Sequence, residues 1–149
     1  MSTPDPKAAA RAARIEANLA AIERHLAECV DLSGRGRDAF LGPDFVNRYA
    51  ALAALIQTGN AVEDLPDEFR AGHVDVRWRA LMSTRDKIGH IHGDSVDWDA
   101  LWNTVDRDVP LDLAAVRHII AQRGGPDGQR RRRARTASEA RAARPGPLT

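Results

Sequence analysis

At 149 residues and 43% hydrophobic composition, the chain is long and apolar enough for one globular domain with tails. Its strictly apolar runs are only a few residues long, such as Ala50 to Ile56, far short of the roughly 20 that cross a bilayer as a helix, so a membrane-spanning role is excluded. The net charge of +1 hides a division: residues 123–149 hold eight arginines against Asp127 and Glu139, which leaves residues 1–122 at −5. An acidic body argues against a broad nucleic-acid-binding face, although a local basic cleft survives such an average. Cys29 is the single cysteine and cannot form an intramolecular disulfide, and no charged-then-apolar leader opens the sequence, so a reducing, cytoplasmic setting is expected.

After the polar opening MSTPDPK, Ile15, Leu19, Ile22, Leu26 and Val30 recur at steps of four, three, four and four, one stripe of a helix. The spacing predicts a first helix over about 7–30, ended by the glycines of DLSGRGR. Gly42-Pro43-Asp44 reads as a second helix start, with Phe45, Tyr49, Leu52, Leu55 and Ile56 continuing an apolar face over about 43–64. Residues 66–70 suggest a short helical turn, and Val74, Trp78, Leu81 and Met82 one face of a third long helix.

Asp97 to Trp102 looks like a capped helix start with Leu101, Trp102 and Val105 as its buried side, closed by Pro110. Leu113, Val116 and Ile119 or Ile120 then mark a last helix that Arg123-Gly124-Gly125-Pro126 stops. No segment carries the period-two alternation of a half-buried strand. The expected class is all-α, a bundle of four to five helices, with a flexible N-terminus over 1–6, a helical domain over 7–122 and a tail over 123–149. From Gln129 onward the tail has almost no large apolar residue and reads as disordered. It is either an RNA-attracting or partner-binding arm or a solubilising extension.

The chemistry concentrates in RDKIGHIHGD, residues 85–94. Arg85 and His90 are five apart. Histidine titrates nearest neutral pH and moves protons, while arginine stays charged and offers a fork of donors to phosphate oxygens. Together they suit metal-free RNA transesterification, in which the 2′-hydroxyl attacks the adjacent phosphate. Spacing alone also fits a solvated helix end. A metal site is a third reading, because His90, His92 and Asp94 are ligand types, with His73 and Asp97 within reach. Residues two apart on a helix point about 200° apart and cannot share an ion, whereas in an extended turn they can; no metal ligand is assigned.

Residues 83–110, STRDKIGHIHGDSVDWDALWNTVDRDVP, resemble the signature region of the HepT-like ribonuclease toxins of the HEPN superfamily, whose motif is R-x4-H-x-Y followed by an acidic residue and a "vW.tv..dlP" helix. Val96-Asp97, Leu101 to Val105 and Asp108-Val109-Pro110 carry that second part. Less sharply, Ile56 to Ala61 and the Trp78 segment extend the resemblance to about residues 12–121. The resemblance implies a HEPN-type helical homodimer whose two motifs face each other across a cleft, an RNA substrate and no metal or other cofactor. Such toxins commonly pair with a minimal nucleotidyltransferase antitoxin that adds AMP to the motif tyrosine, a type VII toxin–antitoxin system.

Arg85 and His90 carry over as the catalytic pair, with Asp86, Lys87 and His92 as supporting or substrate-binding candidates. Two positions depart from the motif: Asp86 follows the arginine, and His92 holds the tyrosine position, so the usual AMP acceptor is missing. The alternative function is an inactive HEPN module that holds RNA, a nucleotide or a nucleotidyltransferase without cutting. Elsewhere, Asp94 and Asp97 suit a loop acceptor and a helix cap. Trp102 suits the core, Trp98 either the core or base stacking, and His25, His118 and Cys29 ordinary helix positions.

Overall fold

A computed structural model of the chain describes residues 5–89, 96–124, 137, 138 and 140–143; of residues 85–89 it describes the backbone only. Among these residues the only regular structure is helical, which makes the fold all-α. Helix α1 (Pro6–Gly34) begins where sequence chemistry says it should. The Asp5 carboxylate accepts a hydrogen bond from the Lys7 N–H at 3.0 Å, and Pro6 occupies the first turn, where no backbone donor is needed. Its buried residues Ile15, Leu19, Ile22, Leu26, Cys29 and Leu32 continue the stripe read from the sequence.

Helix α1 runs one turn beyond its expected end. The chain then reverses at Gly36, whose φ of +99° is costly for any residue with a Cβ, and enters the short α2 (Arg37–Leu41), which the sequence did not signal. Its Phe40 is fully buried, 5.3 Å from the Trp102 ring. Helix α3 (Val46–Glu63) starts later than the Gly42-Pro43-Asp44 cue suggested: Gly42 is the C-cap of α2, and Asp44 accepts from the Val46 N–H at 3.0 Å, outside the helix.

Helix α3 packs between α1 and α5. Small residues, Ala51, Ala54, Thr58, Gly59 and Ala61, are buried along it, and two-sided burial at short range requires such residues. The Thr58 hydroxyl, fully buried, donates to the Ala54 carbonyl at 2.8 Å and so is satisfied. Two residues expected on the buried face of this helix are instead exposed: Phe45 and Tyr49 precede the stretch where α1 and α5 close over α3. Val74 is likewise exposed and lies before helix α5, not on it.

The short α4 (Asp67–Ala71) matches the expected turn and leads to α5 (Trp78–Gly89). Helix α6 (Trp98–Asn103) is capped by Asp97, which accepts from the Ala100 N–H at 3.0 Å. Here the structure corrects the sequence reading: Pro110 does not close the helix. A π-helical turn at Thr104–Asp108 joins α6 directly to α7 (Val109–Arg123), and the Val109 N–H donates to the Thr104 carbonyl five residues back. Widening the helix just before the proline accommodates a residue that has no N–H to give and whose ring crowds the preceding turn. The merged helix keeps Val105, Val109, Leu113, Val116 and Ile119 buried, and α7 packs on α1.

One ion pair ties the start of α5 to α7. The Asp112 carboxylate, 1% exposed, accepts from Arg77 Nη2 at 2.7 Å and Nε at 3.3 Å, and from the Arg77 backbone N–H at 3.4 Å. These bonds raise the Arg77 pKa above the ordinary arginine value, with the hydrogen bond to Asp112 the largest cause. Next to it, the Trp78 indole N–H donates to the His73 carbonyl at 2.7 Å and pins the first turn of α5.

Arg77→Ala is expected to lower unfolding stability in urea by about 2–3 kcal/mol, because it strands a buried carboxylate while removing an arginine that is itself half-exposed. A loss under about 0.5 kcal/mol, the scale of an ordinary surface substitution, would contradict that role. Burial, with Glu28 adding to it, pushes the Cys29 thiol up to about 12. The native thiol should therefore be unreactive to a disulfide reagent at pH 8 and react on unfolding. Above pH 9 only the unfolded thiol ionises, so this group's contribution to stability falls as pH rises from about 9 to about 12.

Candidate active site

Helix α5 carries the first part of the R-x4-H stretch. Its N-terminal half is held in the core by Trp78 and Leu81, with Met82 half-buried, and the Thr84 hydroxyl donates back to the Ala80 carbonyl at 3.0 Å. Arg85, Asp86 and Lys87 lie in its last two turns. At about 100° per residue, the Arg85 Cα falls within the arc spanned by Trp78, Leu81 and Met82, the buried side of the helix. Asp86 and Lys87 fall on the side of Arg79 and Ser83. His90, His92 and Asp94 lie outside the described residues, as do the side chains of Arg85, Asp86 and Lys87.

Helix α5 is described as far as Gly89, and the next helix is α6, from Trp98. The start of α6 is firmly built. Asp97 caps the helix, and Leu101 and Trp102 enter the core, so Asp97 has the capping role and Trp102 the packing role that their sequence positions suggested.

Trp98 does something the sequence left open. It is half-buried, with the Tyr49 ring 5.3 Å and the Arg48 guanidinium 5.4 Å from its own, while Phe45 meets Tyr49 edge-on at 5.3 Å. With Val46 beside them, Phe45 and Tyr49 form an exposed apolar patch at the start of α3. Tyr49 is the single tyrosine of the chain. Arg37, from α2, pairs with Asp99 at 3.0 Å across the same end of the fold.

The remaining candidates take structural places. The Trp78 ring is buried. His73, weighed as a metal ligand, stacks on Phe69 with ring centroids 4.4 Å apart. His25 lies 3.4 Å from Glu28 on its own helix. Among the described residues no three His, Cys, Asp or Glu side chains are grouped to hold a metal ion.

Sequence reasoning missed the Arg77–Asp112 pair and a groove along α5 lined by Arg70, Arg77 and Arg79. Arg77 and Asp112 are 35 residues apart, and no local pattern links them. The arginines of the groove come from two helices and the turn between them, and two of the three are ion-paired.

Comparison with known proteins places this architecture in a family. The profile of the family described as "Ribonuclease HepT-like" matches residues 16–119, a span that contains the whole R-x4-H stretch and the Trp helix. A protein of Methanocaldococcus jannaschii described as a candidate RNase is 31% identical over 90 residues, covering 60% of this chain and 73% of that protein. A Thermococcus cleftensis protein described as a probable ribonuclease HepT is 30% identical over 89 residues, 57% of this chain and 80% of its own length. A third, a candidate RNase of Caldanaerobacter subterraneus, is 31% identical over 103 residues, 66% of this chain and 90% of that protein. No solved structure matches the chain at significant similarity. With its all-helical fold and its R-x4-H stretch opening at the end of a core-anchored helix, the chain belongs to the HepT-like ribonuclease family.

Proposed function

We propose that the protein is a metal-independent endoribonuclease, the toxin of a toxin–antitoxin pair, with Arg85 and His90 as its catalytic residues. The observation that carries this reading is the family match running through the motif, from residue 16 to residue 119. In the reaction, the 2′-hydroxyl oxygen attacks the adjacent phosphorus, the O2′–P bond forms and the P–O5′ bond breaks. His90 moves the proton from the 2′-hydroxyl to the departing 5′ oxygen, and Arg85 neutralises the charge that builds on the phosphorane. Held close to the phosphate, the 2′-hydroxyl needs no metal-bound water as nucleophile. The products are a 2′,3′-cyclic phosphate and a 5′-hydroxyl. Asp86, Lys87 and His92 support the pair or contact phosphate.

The protein acts as a homodimer in the cytoplasm. The exposed apolar patch of Phe45, Val46 and Tyr49 supports that reading, since a second copy gives it cover. No helix among the described residues is long and apolar enough to cross a membrane. The partner is a minimal nucleotidyltransferase. Because His92 stands where the motif tyrosine accepts AMP, restraint of this nuclease proceeds by another route. The same substitution favours one second reading, a HEPN module that binds RNA, a nucleotide or the transferase without cutting.

Purified His90→Ala and Arg85→Ala should each cleave RNA about 100-fold more slowly than wild type, or slower still, and excess EDTA should leave the wild-type rate unchanged. Undiminished cleavage by His90→Ala would overturn the catalytic assignment, and loss of cleavage with EDTA would overturn the metal-free mechanism. A wild-type protein that binds RNA but never cuts it would leave the binding-module reading.

A further inference from the structure

We propose that the groove beside the first half of α5 is the track on which the phosphodiester backbone of the substrate lies before it reaches the catalytic stretch, with Arg79 as the contacting residue. This inference rests on the ribonuclease reading and extends it to a subsite. The groove is shallow and open, with a volume of about 650 Å³, and its charged lining residues are Arg70, Arg77 and Arg79, with no acidic residue among them. On a body whose net charge is −5 over residues 1–122, an exposed arginine that no described carboxylate pairs with is a local point of attraction for a polyanion.

The three arginines divide the work. Arg70 is held by Asp67 on its own helix and reaches the Met82 sulfur at 3.0 Å. Arg77 is committed to Asp112, with Asp108 3.8 Å away. Both are fixed in position and largely neutralised by these carboxylates, so they shape the wall, and the free positive charge of the groove is that of Arg79. Arg79 is exposed and has no ion pair among the described residues, so its full fork of donors faces solvent. The exposed apolar part of the lining, Val74, gives riboses a surface beside Arg79.

Register on α5 ties the groove to the motif. Ser83 lies one turn beyond Arg79 and also lines the groove, and Asp86 and Lys87 occupy the following turn on the same side. Arg79 to Arg85 is six residues, about 9 Å of helix rise. Arg85 also lies about 120° round the helix from Arg79, so a strand that touches Arg79 follows the Asp86 and Lys87 side and turns round the end of α5 to bring a neighbouring phosphate to Arg85. The sequence-independent nature of arginine–phosphate contacts makes this a track for any unpaired RNA, not a reader of bases.

The test uses the full chain made inactive with His90→Ala, so that substrate is bound and not consumed. Affinities for an unpaired 20-nucleotide RNA and for a dinucleotide are measured across a salt series, with and without Arg79→Glu. Arg117→Glu serves as control, since it makes the same change in net charge at an exposed residue of α7 that pairs with Glu23. Arg79→Glu should weaken binding of the long RNA about tenfold and reduce the salt slope by about 0.7, one phosphate contact on a single strand. The dinucleotide should lose less than twofold, and Arg117→Glu should move neither. Equal losses for Arg79→Glu and Arg117→Glu, an unchanged salt slope, or no RNA binding by the parent would each overturn the track. If wild type cuts RNA and Arg79→Glu binds it normally, the track alone falls. If wild type never cuts RNA and Arg79→Glu still weakens binding, the nuclease reading falls and the track stands.

Discussion

The buried carboxylate of Asp112 constrains everything that happens on α5. An ionised group that is 1% exposed is tolerated only when its oxygens are fully engaged, and all of its described partners belong to Arg77, the residue just before α5. The pair thereby fixes where α5 begins relative to α7, and Trp78 bonding to the His73 carbonyl fixes its first turn. From that anchor the helix is a rigid rod, and a rigid rod sets where its last turns, carrying Arg85, emerge. Reaction geometry of this type needs such precision, because misplacement of a charged group by an ångström lowers the rate steeply.

Small residues on α3 serve the same end. Because Ala51, Ala54, Thr58, Gly59 and Ala61 let the backbones approach, α5 sits directly on α3, which in turn sits on α1. The π turn at Thr104–Asp108 plays a comparable part on the other side of the motif. It lets Pro110 stand inside a helix without breaking it, so α6, which begins at Trp98, is continuous with α7 and with Asp112. Both ends of the segment carrying the motif histidine are thus tied to the Arg77–Asp112 anchor.

Much of this was legible in the sequence. The four-and-three spacing from Ile15 to Leu26 gave α1, and Asp97 before Trp98 gave the cap of α6, because both signals are local. Helix α2 was not legible. It is five residues long beside Gly36 and Gly42, and what holds it is the burial of Phe40 against Trp102, a contact 62 residues apart. Pro110 misled because the rule that proline ends a helix assumes a regular α-helix, which the π turn relaxes. Phe45 and Tyr49 fit the apolar period of α3 yet face solvent, since periodicity reports which residues could be buried, not where covering helices run out.

The family was legible in another way. An arginine and a histidine five apart carry little information by spacing. The Trp helix and the Asp108-Val109-Pro110 end that follow them identified the family, and the profile match bears that out. The most direct test of the central claim is the chemistry of the ends left on RNA after cleavage in excess chelator. Attack by the 2′-hydroxyl predicts a 2′,3′-cyclic phosphate and a 5′-hydroxyl, with no cleavage at a position whose 2′-hydroxyl has been replaced by hydrogen. A 5′-phosphate with a 3′-hydroxyl, or cutting at the deoxy position, would contradict it.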